Sequence, residues 1–229
     1  ARYVKLEIVQ SIRNFFASHE LPVYKKDGTK PFAVGSTNKN AEVSEGDYTN
    51  MKNYLGTSVK DGSNFVDQIQ KRGGDINNNG IYDVYDYAYT MFKLDGGTKQ
   101  SGTVEGQIRL VPDKEAVKAG ETFAIAVQAE EVSNLNAYGK VLHYDPAKLE
   151  FVSVDQEKAA EQMENLTVNK VYSDGTAYVN LAFANRGDKP LYNGSGQLSV
   201  ITMKALTDLN PKEEMELENV LLLGPDIIK

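Results

Sequence analysis

Hydrophobic and polar positions divide the chain into three stretches of different texture. From Val104 onward, short runs alternate apolar and polar residues with the period of two that marks half-buried strands. They are Val104–Val111, Thr122–Gln128, Gly139–Tyr144, Leu149–Val154, Leu166–Tyr172, Thr176–Phe183, Gln197–Met203 and Met215–Val220. Ala119-Gly120, Asp174-Gly175 and Asn193-Gly194 separate several of them as turns. Short strands in this number predict a two-sheet sandwich. Pro146 fixes a corner after Tyr144-Asp145, and Leu149 and Phe151 point to one face and anchor the core.

Residues 28–96 are polar, turn-rich and helical. Gly46–Gly56 places Tyr48, Met51, Tyr54 and Leu55 on one helical face, with Gly56 fitting a C-terminal stop. Ser63–Lys71 opens on a capping residue, pairs Phe65 with Ile69 four residues on, and meets Gly73-Gly74 beyond its end. Val84–Phe92 predicts a third helix, closed by Gly96-Gly97, whose aromatics read as core and interface. Ahead of these lie two strand-like runs, Tyr3–Val9 and Leu21–Tyr24, joined by Asn14–Glu20. Two strands alone are marginal in water and need a partner surface. The chain opens inside the first run, which reads as a piece of something larger.

The densest chemistry sits just ahead of the third helix. Asp75, Asn77, Asn79, Asp83 and Asp86 put side-chain oxygens at loop positions 1, 3, 5, 9 and 12 of an EF-hand-type loop. Gly80 occupies position 6, where the loop turns sharply, and Ile81 at position 7 offers its backbone carbonyl. Calcium takes six to eight hard oxygen ligands, and three carboxylates around one point favour a dication. Position 12 is Asp86 where the common loop has a bidentate Glu, so the backbone must come closer or one oxygen must suffice. Sliding this loop back along the chain finds a weaker echo at residues 36–47. Asn38, Asn40, Ser44 and Asp47 match Asn77, Asn79, Asp83 and Asp86, with Glu42 at position 7. Ser36 replaces the first Asp and Ala41 the turn Gly, so this second site is weak or lost.

Composition narrows the classes. A chain of 229 residues suits one or two domains, and 41% hydrophobic with 25% charged residues is ordinary for a globular protein. There is no Cys, which excludes disulfides, thiolate zinc sites and Cys nucleophiles. The net charge of −7 is uneven: residues 104–229 hold 12 of the 25 basic and 20 of the 32 acidic residues, a net −8, against +1 for the rest. No basic face for nucleic acid and no membrane-length apolar run is evident. The two histidines, His19 and His143, are isolated, and no H-E-x-x-H, G-x-S-x-G or P-loop motif occurs. Acidic runs such as Lys212–Glu218 read as a solvated strand face. No catalytic residue is expected.

Three resemblances follow from these motifs. Two loop-then-helix repeats joined by a middle helix, residues 36–94, resemble a dockerin module. That resemblance implies calcium ligands Asp75, Asn77, Asn79, Ile81 (carbonyl), Asp83 and Asp86, and partner contacts through Val84 and Tyr85, with Glu45 and Gly46 in the first repeat. Val117–Phe123 followed by Tyr144–Phe151 resembles a cohesin-like sandwich. Ala1–Ile8 and Ala17–Tyr24 resemble the last strands of a discoidin-like carbohydrate-binding module.

The expected fold class is therefore multidomain. A strand pair (1–27) precedes a small helical EF-hand-like dockerin module (28–97), a linker (98–103) and an all-β, cohesin-like jelly-roll sandwich (104–229). The implied function is non-catalytic, calcium-dependent assembly at the C-terminal part of an exported bacterial protein, such as a glycoside hydrolase. Its place would be extracellular, cell-surface or periplasmic. The partner would be a cohesin- or dockerin-bearing protein, or the two modules would pack together within the chain. The short link favours contact between them. The alternative is glycan binding on Tyr138, Tyr172, Tyr178 and Tyr192, which the lack of Trp disfavours.

Overall fold

Among the described residues nine strands form, and their alternating side chains sort into two antiparallel sheets. They are β1 (Glu105–Pro112), β2 (Thr122–Leu135), β3 (Ala137–Tyr144), β4 (Leu149–Gln156), β5 (Glu164–Asn165), β6 (Val168–Val171), β7 (Ala177–Ala184), β8 (Tyr192–Ala205) and β9 (Leu221–Leu223). One sheet runs β1-β2-β8-β4, and the five-stranded one runs β5-β7-β3-β9 with β6 also paired to β7. The computed structural model describes residues 44–58, 61, 75–77, 79–94 and 102–227. The strands expected at 1–27, the loop residues Ser36, Asn38, Asn40 and Glu42, and the helix expected at Ser63–Lys71 lie outside the described residues.

The inward side chains of both sheets interdigitate. Phe123, Ile125 and Val127 of β2, with Leu198, Ile201 and Met203 of β8, meet Leu142 of β3 and Val179, Leu181 and Phe183 of β7. Tyr138 stacks on Phe183 with ring centroids 4.9 Å apart, and its hydroxyl donates to Ser199 Oγ at 3.2 Å. Leu149 is buried and Phe151 packs against the core, both beyond the Asp145 corner. There the Asp145 carbonyl accepts from Lys148 N and Leu149 N, at 3.0 and 2.9 Å.

Two strands run well past their alternating runs. β2 and β8 each reach 14 residues because their ladder slips rather than stops beyond Val127. Glu131 and Asn134 take φ of 50° and 54° at those slips, and such bulges bend the sheet. Gly106 fits against this bend. A Cβ there would lie 2.5 Å from the Glu131 carbonyl oxygen, so only glycine passes.

One expected strand is absent. Met215–Val220 does not join a sheet; the segment before it, Pro211–Glu214, closes one helical turn. Asn210 caps that turn through Oδ1, which accepts from Lys212 N at 3.1 Å, and Pro211 sits at its first position. Glu213 and Glu214 suit its first turn by charge, so they are not a strand face. Met215 still reaches the core, but the ladder forms only at Leu221–Leu223, opposite Ala137–Gly139.

Among the described residues two helices lie outside the sandwich: α1 (Glu45–Tyr54) and α2 (Val84–Leu94). α1 ends one residue before Leu55, and Gly56 follows at φ 76°, the left-handed geometry that stops a helix.

Truncating the middle of the core should be costly. Leu181→Ala, at a fully buried β7 position, is expected to lower stability by about 3 kcal/mol. Val152→Ala, at a half-exposed position, should change it by under about 0.5 kcal/mol. Urea unfolding monitored by circular dichroism checks both.

Candidate docking interface and metal loop

The loop at Asp75–Asp86 is closed by its own side chains. Asp75 accepts from Asn79 N through Oδ1 at 3.1 Å and from Gly80 N through Oδ2 at 3.0 Å. Asn77 Oδ1 accepts from Asn79 N, and Asn79 Oδ1 from Ile81 N. Gly80 turns the chain at φ 85°. Asp83 and Asp86 form a reciprocal cap on α2. Asp83 Oδ1 accepts from Tyr85 N at 2.8 Å, while Asp86 Oδ2 accepts from Asp83 N at 2.9 Å. Asp86 Oδ1 reaches back to Ile76 N at 2.6 Å, tying the loop's start to its end.

This places the expected ligands Asp75, Asn77, Asn79, Ile81, Asp83 and Asp86 around one turn. Among the described residues no three acidic or imidazole groups already stand as a metal cluster. Asn77 and Asn79 instead turn their amide nitrogens to Asp83 Oδ2, at 3.2 and 2.6 Å. The donor set nonetheless fits a hard cation. Asp86 is fully buried, and burial followed by the Asp83 charge holds its carboxyl well above the ordinary carboxylate range. A dication would offset both effects, and the two amides carry oxygens that rotate toward it.

The loop is joined to α1. Ser58 bridges Ile81, Gly56 N donates to the Tyr82 carbonyl at 2.9 Å, and Tyr82 N donates to the Thr57 carbonyl at 2.9 Å. Residues 56–58, after α1, thus pair with the loop. Of the first-repeat residues, Ser44 precedes α1, and Glu45, Gly46 and Asp47 lie in its first turn, with Gly46 exposed.

This loop–helix unit lies on the outer face of the five-stranded sheet. Met51, Leu55, Tyr82, Val84, Tyr87, Ala88 and Met91 bury against Ala137, Leu166, Ala182, Ala184 and Leu223. At the centre, Val84 sits over Gly139 of β3. A Cβ at Gly139 would lie 2.7 Å from Val84 Cγ1 and 2.3 Å from the Leu181 carbonyl oxygen, so the seat exists only as glycine. Sheet side chains then hold the unit's backbone. Tyr178 OH donates to the Gly56 carbonyl at 2.6 Å, and Asn180 Nδ2 donates to the Tyr82 carbonyl at 3.1 Å. Tyr82 is fully buried beside Asp86 and Asp83, and burial raises its hydroxyl pKa well above the ordinary value.

A polar rim surrounds this centre. Tyr87 OH donates to Glu164 Oε2 at 3.2 Å, and Lys52 ion-pairs with the same carboxylate. Tyr172 OH lies 2.9 Å from Ser58 Oγ and donates to Asp61 Oδ2 at 3.1 Å; Lys170 faces Asp61 at 3.9 Å. The Lys52 and Lys170 side chains keep 40% and 35% of their exposure, so each pair contributes under about 1 kcal/mol.

Of the two expected contact residues on α2, Val84 is buried on Gly139, while Tyr85 stays part-exposed and stacks on Tyr89 at 6.4 Å. Gly139, Asn180 and Glu164 did not stand out in the sequence. The signal lay in Ala177–Ala184, buried at all eight positions, where alternation fails because both faces are covered. Of the four tyrosines considered for sugar stacking, Tyr138, Tyr178 and Tyr192 are buried and Tyr172 is held at the rim. They form no open platform.

The family model of the cohesin domain matches residues 108–224, which is just over half of the chain and covers nearly the whole sandwich. The chain belongs to the cohesin family. A cohesin is a non-catalytic module of protein–protein assembly. No curated protein matches the chain. Solved cohesins are similar at low identity. A non-cellulosomal cohesin from the hyperthermophilic archaeon Archaeoglobus fulgidus is 16% identical, covering 48% of this chain and 72% of that one, with a TM-score of 0.33. A type II cohesin domain from the cellulosome of Acetivibrio cellulolyticus is 15% identical over 52% and 84%, with a TM-score of 0.38. The Coh-OlpC–Doc435 type I cohesin–dockerin complex from Clostridium thermocellum is 15% identical over 56% and 88%, with a TM-score of 0.35. No described helix of this cohesin is long and apolar enough to cross a membrane.

The backbone grip is open to direct measurement. Tyr178→Phe leaves the buried Gly56 carbonyl without its donor and should cost about 1–3 kcal/mol. Amide exchange should show the loss concentrated at Gly56–Ser58 and Ile81–Asp83, with the β2–β8 ladder unchanged.

Proposed function

We propose that this cohesin serves calcium-dependent assembly, with the loop–helix unit acting as a dockerin-type ligand and the outer face of the five-stranded sheet as its receptor. One observation carries the reading. Residues of the metal loop alternate along the chain with residues that touch the sheet. Tyr82 gives its carbonyl to Asn180 and Val84 sits on Gly139, while Asp83 between them and Asp86 beyond them carry the loop's carboxylates.

Asp75, Asn77, Asn79, the Ile81 carbonyl, Asp83 and Asp86 would hold the ion. Bound there, it supplies positive charge that neutralises three carboxylates and fixes the first turn of α2. The chain's own residues do the rest. Asp83 and Asp86 cap the helix, Gly56–Ser58 brace the loop, and Val84 is thereby held over its seat. An affinity matched to millimolar, extracellular calcium suffices for such a structural site.

Calorimetry of chelated protein titrated with calcium should give one binding event. At one hundred times its Kd, calcium adds about 2.7 kcal/mol to stability. For a chain of this size that raises Tm by roughly 5–10 °C, an increment EDTA should remove. Asp75→Ala should abolish the binding heat. No heat with wild-type protein, or a Tm indifferent to EDTA, contradicts the calcium reading.

A further inference from the structure

We propose that the cohesin sheet of this chain is a self-occupied recognition face, closed by its own loop–helix unit and able to accept the same unit from a second copy of the chain. The inference rests on the receptor reading above and adds who occupies the face and what keeps it shut.

The contact is a buried cluster built from parts that a second copy of the unit presents identically. Two of its directed bonds are read from main-chain carbonyls, at Gly56 and Tyr82. Any copy of the unit presents the same two carbonyls in the same place. At the middle of the apolar contact Val84 sits over Gly139, flanked by Met51, Leu55, Tyr87, Ala88 and Met91, and every copy of the unit carries the same set. The rim pairs, Lys52 with Glu164 and Lys170 with Asp61, stay partly solvated and separate without stranding a buried charge.

Covalent connection decides which copy wins. Seven residues separate Leu94 from Gly102 in the sequence. A short connection gives the resident unit an effective concentration on the order of 1 mM. A unit on another chain at about 10 µM then competes at a disadvantage of roughly a hundredfold. Wild-type chains should remain closed monomers, and the face should open to a partner only when the resident unit is unseated.

Two full-chain variants in the presence of calcium test this. Val84→Arg unseats the unit and opens the face. Val168→Arg blocks the face, because the Val168 side chain already lies 3.1 Å from where a Cβ would stand on Gly56, and so frees the unit. Light scattering of each variant alone should give monomers, and their mixture should give a species with the mass of two chains. Wild type mixed with either should stay monomeric. A second pair guards against misfolding: Lys52→Glu and Glu164→Lys each set like charges against each other within one chain, and the swapped charges meet only across two chains. Cooperative melts establish that the variants fold. A heterodimer from either pair supports the proposal. Monomers throughout from folded variants overturn it, as does wild type associating as readily as the variants. Failure of the calcium reading would show separately, as missing binding heat with dimerisation unaltered.

Discussion

The structure depends on both faces of β7 being covered. All eight residues from Ala177 to Ala184 are buried, although a sandwich by itself covers only one side of each sheet. Inward, Val179, Leu181 and Phe183 join the core; outward, Tyr178, Asn180, Ala182 and Ala184 lie beneath the loop–helix unit. Two of those outward residues are polar, and their donors reach backbone carbonyls of the unit. Without the cover, an apolar stripe would face water and two of the unit's carbonyls would lose their partners. Burial and hydrogen bonding therefore favour the same docked arrangement.

Small residues make the approach close. Ala137, Gly139, Ala182 and Ala184 leave the sheet's outer surface shallow at its centre, so the α2 backbone comes near enough for Val84 to touch strand backbone. Larger side chains there would hold the helix off and lengthen both carbonyl contacts. The rim then fixes orientation more than affinity, with Glu164 meeting both Lys52 of α1 and Tyr87 of α2. One carboxylate on the sheet thus bridges both helices.

Much of this was legible in the residues, for identifiable reasons. The sandwich showed in the period-two runs, and the β4 corner in Asp145-Pro146 followed by Leu149 and Phe151. α1 and α2 showed in their apolar spacing and in Gly56, because local geometry sets a helix and its stop. The last strand was misplaced: Met215 and Leu217 alternate, yet Asn210-Pro211 starts a helical turn and pairing waits until Leu221. The seat was not legible. Gly139 has no side chain to betray a role, and Asn180 reads as an ordinary polar position until the carbonyl it grips is known. The long run without alternation in β7 was the available clue, since a strand covered on both faces loses its polar half. Tyr178 drew notice as a sugar platform, whereas its hydroxyl donates to a buried carbonyl.

The central claim is that Val84 rests on Gly139 in the intact chain. Methyl-resolved NMR of the 229-residue chain in calcium measures this directly. A strong nuclear Overhauser effect between a Val84 methyl and the Gly139 α protons is the predicted result. A Val84 methyl with no such contact and free access to a soluble paramagnetic agent would contradict the account.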